Sequence, residues 1–434
     1  MPPGFRLRLP RRLLLAGALL AACLVPGCVP GAHEPAGTFE LDFSLPPDAD
    51  TRGAVVFYVD GVNAEIFAEM LAAGELPAIR EHFVDRGLHC PRAVANTPSV
   101  TLANETSFVT GLWPGHHGVT GINWFDRHRL LWRNYETVAQ KNTLDGDYTA
   151  ATIYEMLGRE TTASIFFQAH RGATKFVENW TSAGPPFFFR WYEFVDRLTL
   201  SRFDLVMEIA RRRRAFPAVV VAYLLAPDFR AYAEGVGSAA YRQALRHTDR
   251  QIGRVLADMD RAGLLDDLTL VLTSDHSLMD VTRHWPIEAF LRDELGLMIA
   301  RKRLWEKTPF EDRLAYYQKF PCVLYGSGDR YWAVQLRRPR RQEDGSLCYA
   351  PWPHRPAAET LRAWPVEVSE PGEADAGATI DLPARLVAQE AVDAVAWATG
   401  PNEVRVLLAG GEVAFAQPDG PGGDITCRVV AGEI

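Results

Sequence analysis

Two uninterrupted apolar runs constrain the fold of this chain most. Residues 54–59 read AVVFYV and residues 218–225 read AVVVAYLL. Strands that are apolar at every position are typical of a parallel sheet covered on both faces. Shorter runs predict further strands over 162–167 and 268–272, and a long amphipathic helix over 238–262. Strands that alternate with helices predict an α/β fold with a mainly parallel central sheet flanked by helices.

The rest of the chain predicts additions to this sheet. Residues 51–320 are predicted to form the α/β domain, and residues 124–160 and 172–215 read as aromatic-rich insertions without a clean period. Residues 321–434 hold short strand-like runs around one short helix. They predict a smaller, strand-rich C-terminal continuation.

The N-terminal segment predicts export. A basic stretch with four arginines precedes an apolar run over 13–22, which is too short to span a bilayer. Small residues lead to Cys23, as at a lipoprotein cleavage site, and Cys28 is a poorer second candidate. We expect residues 1–22 to be a signal peptide and residues 23–50 a flexible tether. The protein would then be a bacterial lipoprotein anchored at the cell envelope.

Charge argues against nucleic-acid polymers as partners. The net charge of −8 becomes −12 once the four arginines of the signal are removed. An acidic chain is a poor general binder of a polyanion. The basic runs 211–214 and 337–341 are predicted to be solvated faces, with a phosphate or membrane patch as the alternative. No feature predicts an oligomeric state.

The cysteines leave one question open. Beyond Cys28 there is no CxxC spacing, so a cysteine zinc site is not expected. Cys322 and Cys348 could pair in an oxidising compartment, and the sequence alone does not fix this.

Acidic side chains follow three of the predicted strands. Asp60, Asp228 and Asp275 occupy these positions, and His276 comes directly after Asp275. A single aspartate at such a place often only caps the next helix. Three together are a stronger signal, because sites in parallel sheets form at the carboxyl ends of strands. Carboxylates with one imidazole suit Zn²⁺ or Mn²⁺.

A hydroxyl-rich helix start is the second unusual feature. Residues 97–118 read TPSVTLANETSFVTGLWPGHHG, with hydroxyls at Thr97, Ser99 and Thr101. Thr97 and Ser99 read as loop and cap residues. Thr101 lies where a helix begins, so the helix dipole favours an alkoxide or a phosphate beside it.

Four motifs together carry a family resemblance. They are FYVDG, PSVTLANETSFVTGLWPGHHG, APD followed by YRQALRHTDRQIGRVL, and LVLTSDHS. Over roughly residues 53–290 the chain resembles the alkaline phosphatase superfamily, most closely its nucleotide pyrophosphatase/phosphodiesterase branch. The resemblance implies an alkaline-phosphatase-like fold and metal-dependent hydrolysis of small phosphate esters.

The resemblance also implies roles for individual residues. Thr101 matches the nucleophile that forms a phosphoryl-enzyme intermediate. Asn104 is counted with it as a catalytic residue, and we expect its part to be support of the nucleophile helix. Asp60, Asp275 and His276 match the shell of one zinc ion, together with Thr101, and Asp228 matches the first ligand of a second. One or two zinc ions are therefore implied, with Mn²⁺ as an alternative.

The chain departs from the family pattern in three places. Tyr232 stands where relatives carry a histidine ligand of the second metal. A late histidine ligand has no counterpart, since neither His284 nor His354 lies in the expected context. The asparagine that donates to the phosphoryl group would fall on Ile122, and a slip of one residue would supply Asn123 instead. Truncation and genuine divergence both stay open as explanations, and Tyr232 favours divergence.

Two functions therefore compete. The first is a phosphodiesterase/nucleotide pyrophosphatase-type hydrolase that works through Thr101. The second is a membrane-tethered pseudo-phosphodiesterase that binds a phosphate-bearing ligand or partner without turnover. A sulfatase is disfavoured because Cys90-Pro91-Arg92 lacks the required spacing, and a phosphomutase is disfavoured because such enzymes are rarely exported.

Overall fold

The computed structural model describes residues 39–137, 140–178, 180–328, 330–344, 346–365, 378–417 and 425–432. The predicted signal peptide and residues 23–38 of the predicted tether lie outside these ranges. Within the described residues, no helix combines the length and the apolar character that crossing a membrane requires.

The strands of the described residues, in chain order, are β1 Gly53–Val59, β2 Asn123–Asp126, β3 Leu131–Asn134, β4 Thr162–Ile165, β5 Lys175–Val177, β6 Val219–Leu224, β7 Leu268–Thr273, β8 Cys322–Gly326, β9 Trp332–Leu336, β10 Pro339–Arg341, β11 Leu347–Tyr349, β12 Trp364–Pro365, β13 Thr379–Ile380, β14 Ala394–Ala398, β15 Glu403–Leu408, β16 Gly411–Ala416 and β17 Thr426–Gly432. The α-helices are α1 Ala64–Ala72, α2 Pro77–Ile79, α3 Thr101–Thr110, α4 Pro114–His117, α5 Ile153–Met156, α6 Trp180–Phe188, α7 Tyr192–Ser201, α8 Phe203–Arg213, α9 Ala226–Glu234, α10 Ala239–Arg261, α11 Ile287–Ala289, α12 Phe310–Tyr317, α13 Ala358–Arg362 and α14 Leu382–Val387.

The chain divides into two compact units. Unit 1 comprises residues up to 117 and residues 148–280, and unit 2 comprises residues 118–147 and 281–434. This division differs from the predicted boundary at residue 320. The reason is that residues 281–320 and the β2–β3 hairpin pack with the C-terminal strands. Gln335 Nε2 of β9 donates to Phe125 O at 3.1 Å, and Leu291 shares a buried cluster with Cys322 and Leu336.

Unit 1 is built on a five-stranded sheet in the order β5-β4-β6-β1-β7, with every pair parallel. On one face, alternating β1 residues Val55, Phe57 and Val59 join a buried cluster with α8 and the second half of α10. On the other face, Tyr58 packs against Phe108 of α3, with ring centroids 5.3 Å apart. Both faces are covered, which explains why β1 and β6 are apolar throughout. The predicted α/β fold with a mainly parallel sheet is confirmed.

The insertion 172–215 is more regular than predicted. It contains α6, α7 and α8, and the buried residues of α8 are Phe203, Val206, Met207 and Ala210. This spacing of three and four is the helical period. The surrounding aromatic residues obscured it in the sequence.

Residues 39–50 do not form a free tether. Leu41 N donates to the Asp258 carboxylate at 3.0 Å, and Phe43 is buried against Phe203. Arg211 and Arg214 of the first basic run form ion pairs with Asp42 and Asp48 of this segment. The prediction of a flexible tether over residues 23–50 is therefore wrong from residue 39 onward. Two buried apolar side chains and two aspartates of this segment hold it against the rest of unit 1.

Unit 2 is rich in antiparallel strands, as predicted for the C-terminal part. Strands β14 to β17 form a four-stranded antiparallel sheet, and β8 pairs with β9 as a hairpin. Strand β17 had no counterpart in the sequence prediction.

One sequence expectation about unit 2 needs correction, and one question that the sequence left open is answered. Arg337, in the second basic run, is buried rather than solvated, and its guanidinium donates to carbonyl oxygens of Ala350 and Gln318 at 2.8 and 2.6 Å. Cys322 and Cys348, left open as a disulfide pair, are both free thiols.

Candidate metal centre

Three predicted ligands meet at one edge of the sheet. Asp60 directly follows β1, while Asp275 and His276 come just after β7, and the two strands are parallel neighbours. All three side chains are buried. Each offers one ligand atom, and these atoms lie within 4.8 Å of one another.

Each of the two carboxylates directs one oxygen toward the other ligand atoms and accepts hydrogen bonds from the protein with its second oxygen. The Tyr223 hydroxyl donates to Asp60 Oδ2, and Asp60 Oδ1 is buried without a hydrogen-bond partner among the described residues. Asp275 Oδ1 accepts hydrogen bonds from the backbone N of Gly61 at 3.1 Å and of His276 at 2.9 Å. Asp275 Oδ2 is likewise buried and accepts none from the described residues.

His276 follows the same pattern. Its Nδ1 lies 3.2 Å from Ser277 O. Because a carbonyl oxygen only accepts, this contact places the proton on Nδ1 and leaves the Nε2 lone pair available. Nε2 lies 3.2 Å from Thr101 Oγ1, 3.3 Å from Asp275 Oδ2 and 3.6 Å from Asp60 Oδ1. Four donor atoms therefore converge.

The electrostatics of this group call for a cation. Burial raises the pKa of Asp60 well above its usual range, and the nearby charges of Asp228 and Asp275 raise it further. The hydrogen bond from Tyr223 opposes this shift. Buried carboxylates are stable when they are paired or when they ligate a metal. The convergent donors and the two carboxylate oxygens without hydrogen bonds fit a divalent cation, and two oxygens, one imidazole nitrogen and a hydroxyl suit Zn²⁺.

Thr101 is the first residue of α3, and its side chain is half-buried. The N-cap residue is Val100, which makes no side-chain capping bond. Thr97 and Ser99 lie exposed in the loop before the helix, as expected, but neither caps it, because the cap position belongs to Val100.

Asn104 organises this helix start instead. Its Oδ1 accepts a hydrogen bond from Asn96 N at 2.9 Å, and its Nδ2 donates to Val100 O at 3.0 Å. The amide thus bridges the loop and the N-cap carbonyl, which supports the start of the helix at Thr101. These contacts agree with the supporting role expected of Asn104, and its assignment as a catalytic residue stays a prediction.

Asp228 lies beside this group without belonging to it. It is the third residue of α9 and is buried. Gly61, at φ +66°, lies directly against it: a Cβ there would approach Asp228 Oδ1 to 2.8 Å. Tyr232 lies one helical turn further along α9 and is 57% exposed, so it does not pack into the core.

Two acidic residues of α7, which the sequence analysis did not identify, hold α9 in place. Buried Asp196 of α7 accepts hydrogen bonds from Leu225 N at 2.7 Å and Ala226 N at 3.1 Å, where α9 begins. Glu193, one turn earlier on α7, forms a two-bond ion pair with Arg230 at 2.7 Å. In the sequence, the only sign of these contacts is the three-residue spacing of Glu193 and Asp196, and such spacing is common on helices exposed to solvent.

Asn123 begins β2 in unit 2. Its Oδ1 is buried and accepts no hydrogen bond from the described residues. Its assignment as a donor to the phosphoryl group stays a prediction.

The fold and this group of donors define a class: α/β proteins with a candidate metal centre at the carboxyl edge of a parallel sheet. The family model described as type I phosphodiesterase / nucleotide pyrophosphatase matches residues 54–334, which is more than half of the chain. The chain belongs to this family, and the resemblance read from its motifs is confirmed.

Individual relatives are distant. Mouse ectonucleotide pyrophosphatase/phosphodiesterase family member 3 is 22% identical over 239 residues, covering 54% of this chain and 26% of the mouse protein. A Caenorhabditis elegans ectonucleotide pyrophosphatase/phosphodiesterase is 25% identical over 300 residues, covering 67% and 37%. The chain thus spans only about a quarter to two fifths of the length of these relatives.

Among solved structures, the chain matches an inactive variant of murine ectonucleotide pyrophosphatase/phosphodiesterase 5 in complex with AMP. It matches with a TM-score of 0.47 and 15% identity, covering 63% of this chain and 72% of the murine one.

The contact between Gly61 and Asp228 generates a prediction about stability. Gly61→Ala adds a methyl group at a positive φ and pushes it into Asp228, whereas Gly74→Ala at φ +74° meets open space. The strain alone should destabilise Gly74→Ala by roughly 1–2 kcal/mol. Gly61→Ala should lose about 1–3 kcal/mol more through overpacking. Urea unfolding of both variants measures this difference, and equal losses would contradict the contact.

The buried His117 ring generates a prediction about pH. Its Nε2 lies 3.0 Å from Ser107 Oγ, and burial lowers the pKa of His117 to about 4. The unfolded chain binds this proton near pH 6.5, so the stabilisation is complete above pH 6.5 and is lost as the pH falls toward 4. The slope is at most about 1.4 kcal/mol per pH unit for one proton.

Urea unfolding between pH 7 and pH 4 checks this against His117→Gln, which should show a shallower decline. His116→Gln is the matched control because His116 is the exposed neighbour. A decline in His117→Gln as steep as that of the parent protein would contradict the assignment.

Proposed function

We propose that this protein is a metal-dependent phosphoric ester hydrolase of the phosphodiesterase/nucleotide pyrophosphatase type, acting on small phosphate esters through Thr101. Family membership supports the reaction class. The observation that carries the residue assignment is the position of Thr101 Oγ1, 3.2 Å from His276 Nε2, at a helix N-terminus beside the Asp60–Asp275 pair.

The chain supplies most of what such a reaction requires. Thr101 would attack phosphorus: its oxygen forms the new bond as the bond to the leaving alkoxide breaks, and the hydroxyl proton passes through solvent to that alkoxide, which departs as the alcohol. Water then hydrolyses the threonine phosphoester and frees the hydroxyl. The unpaired N–H groups and the dipole at the start of α3 favour negative charge on the alkoxide and the phosphoryl group. A bound divalent cation would make the hydroxyl easier to deprotonate and neutralise phosphoryl charge.

Asp60, Asp275 and His276 are proposed to hold the cation with Thr101. Zn²⁺ is the metal we propose, with Mn²⁺ as the alternative. Asp228 is proposed as the protein ligand of a weaker second site.

The nucleophile assignment is tested by two substitutions. Thr101→Ala should lower turnover of p-nitrophenyl phosphate diesters at least about a thousand-fold, because it removes the attacking oxygen. Thr101→Ser should stay within about tenfold of the parent protein, because it keeps the hydroxyl. Assays with Zn²⁺ and Mn²⁺ titrated in, on diesters and monoesters, measure both. Equal activity in the parent and Thr101→Ala would exclude Thr101 as nucleophile.

The second candidate function is binding without turnover. The exposed Tyr232 favours it, because Tyr232 stands one turn after Asp228 where a metal ligand is expected from the family pattern. Tyrosine is an uncommon zinc ligand. Inactivity of both the parent and Tyr232→His at every metal concentration, with retained binding of AMP, would favour this candidate over the hydrolase.

We also propose that a lipid on Cys23 anchors the protein at the bacterial cell envelope. The basic and apolar N-terminal segment and the small residues before Cys23 support this. Palmitate labelling in a bacterial host, followed by membrane fractionation, tests it. Cys23→Ser should lose both the label and the membrane fraction, whereas Cys28→Ser should keep both. The reverse result would move the anchor to Cys28.

A further inference from the structure

Tyr223 is a buried tyrosine that sequence reasoning did not single out. It lies on β6, directly beside Tyr58 of β1 in the parallel register. Both side chains are buried, and their ring centroids are 6.4 Å apart. The Tyr223 hydroxyl donates to Asp60 Oδ2.

The ring of Tyr223 packs in the core, and its hydroxyl forms a hydrogen bond. The ring packs against Phe166 and Phe167, with centroids 6.3 and 6.4 Å apart, so it fills the core as a phenylalanine would. The hydroxyl makes its hydrogen bond with Asp60 alone among the described residues. The hydroxyl therefore acts on a proposed metal ligand, and the ring does not.

That hydrogen bond determines how Asp60 can bind a cation. A free carboxylate binds through one oxygen or through both. With Oδ2 engaged by the phenol, Oδ1 is the oxygen left facing His276 Nε2. Asp275 Oδ1 is engaged in the same way by two backbone N–H groups, which no side-chain substitution removes, and by a longer bond of 3.4 Å from Ser274 Oγ. Tyr223 is thus the side chain through which this restriction can be altered.

We propose that Tyr223 is a positioning residue that makes Asp60 a one-oxygen ligand and so keeps the metal centre at four protein donors. This inference rests on the proposed metal centre. Removing a residue that hydrogen-bonds to a metal ligand typically weakens metal affinity by about 10–100-fold.

The experiment uses the purified protein with Tyr223→Phe, and Tyr58→Phe as the matched control. Both substitutions remove one buried hydroxyl at the same register of the sheet, and only the first removes a hydrogen bond to Asp60. Zn²⁺ affinity is measured by calorimetry. Co²⁺ is then titrated as a spectroscopic probe, because four-coordinate Co²⁺ absorbs visible light far more strongly than six-coordinate Co²⁺.

The expected result is specific to Tyr223→Phe. Its dissociation constant for Zn²⁺ should rise about 10–100-fold, and its Co²⁺ absorption should weaken as Asp60 becomes free to bind through both oxygens. Tyr58→Phe should match the parent protein in both measurements. Circular dichroism of the metal-free proteins checks that all three are folded.

Two results would overturn the inference alone. One is a parent protein that binds Zn²⁺ while Tyr223→Phe shows the same affinity and the same Co²⁺ spectrum. The other is a weak, six-coordinate Co²⁺ spectrum in the parent itself, which decides the matter even if Tyr223→Phe does not fold. A parent protein that binds neither metal would instead overturn the proposed metal centre, and the role of Tyr223 with it.

Discussion

Mutual repulsion among buried carboxylates is the main energetic constraint on unit 1. Asp60, Asp228 and Asp275 are all buried, and the charges of the last two raise the pKa of Asp60 on top of the effect of burial. Such a group is unfavourable in a dry interior unless protons or cations compensate it. The protein positions these side chains all the same, through strand ends, a positive-φ glycine and a helix braced from α7. An arrangement that opposes folding in this way is typical of a binding site, where the ligand supplies the missing charge.

The parallel sheet explains how residues so far apart in sequence come together. Strands β1 and β7 run side by side in the same direction, so their carboxyl ends bring Asp60 to Asp275 and His276. The ends of adjacent parallel strands are where ligands bind in open α/β sheets. What refines the group is a set of outer contacts: Tyr223 on Asp60, Gly61 N on Asp275 and Ser277 O on His276. Each contact engages one oxygen or nitrogen of the side chain and leaves its second oxygen or nitrogen directed toward the other ligand atoms.

The sequence predicted the sheet well, and it pointed to Asp60, Asp275 and His276, which the fold brings together, but it did not reveal the residues that support them. Strands such as β1 and β6 carry their own signal, because every residue is apolar and short polar turns follow. The residues of the metal centre stand at the ends of those strands, so the same pattern located them. Tyr223 and Asp196 carry no comparable signal, since a tyrosine in a strand and an acid on a helix are ordinary, and only the fold reveals what they contact. The capping role expected of Thr97 and Ser99 failed because the helix begins at Thr101 with Val100 at the N-cap, and no side chain of the described residues caps it.

The β2–β3 hairpin has a consequence for how the chain is assembled during synthesis. Its buried aromatic residues, Trp124, Phe125 and Trp132, belong to unit 2, yet they are made before most of unit 1 and long before β8. At ribosomal rates of about 5–20 residues per second, roughly 10 to 35 s separate the end of residues 118–147 from the appearance of β8. For that interval the hairpin has no completed core to enter. Neither unit is continuous in sequence, so each must wait for a later segment of the chain before its core is complete.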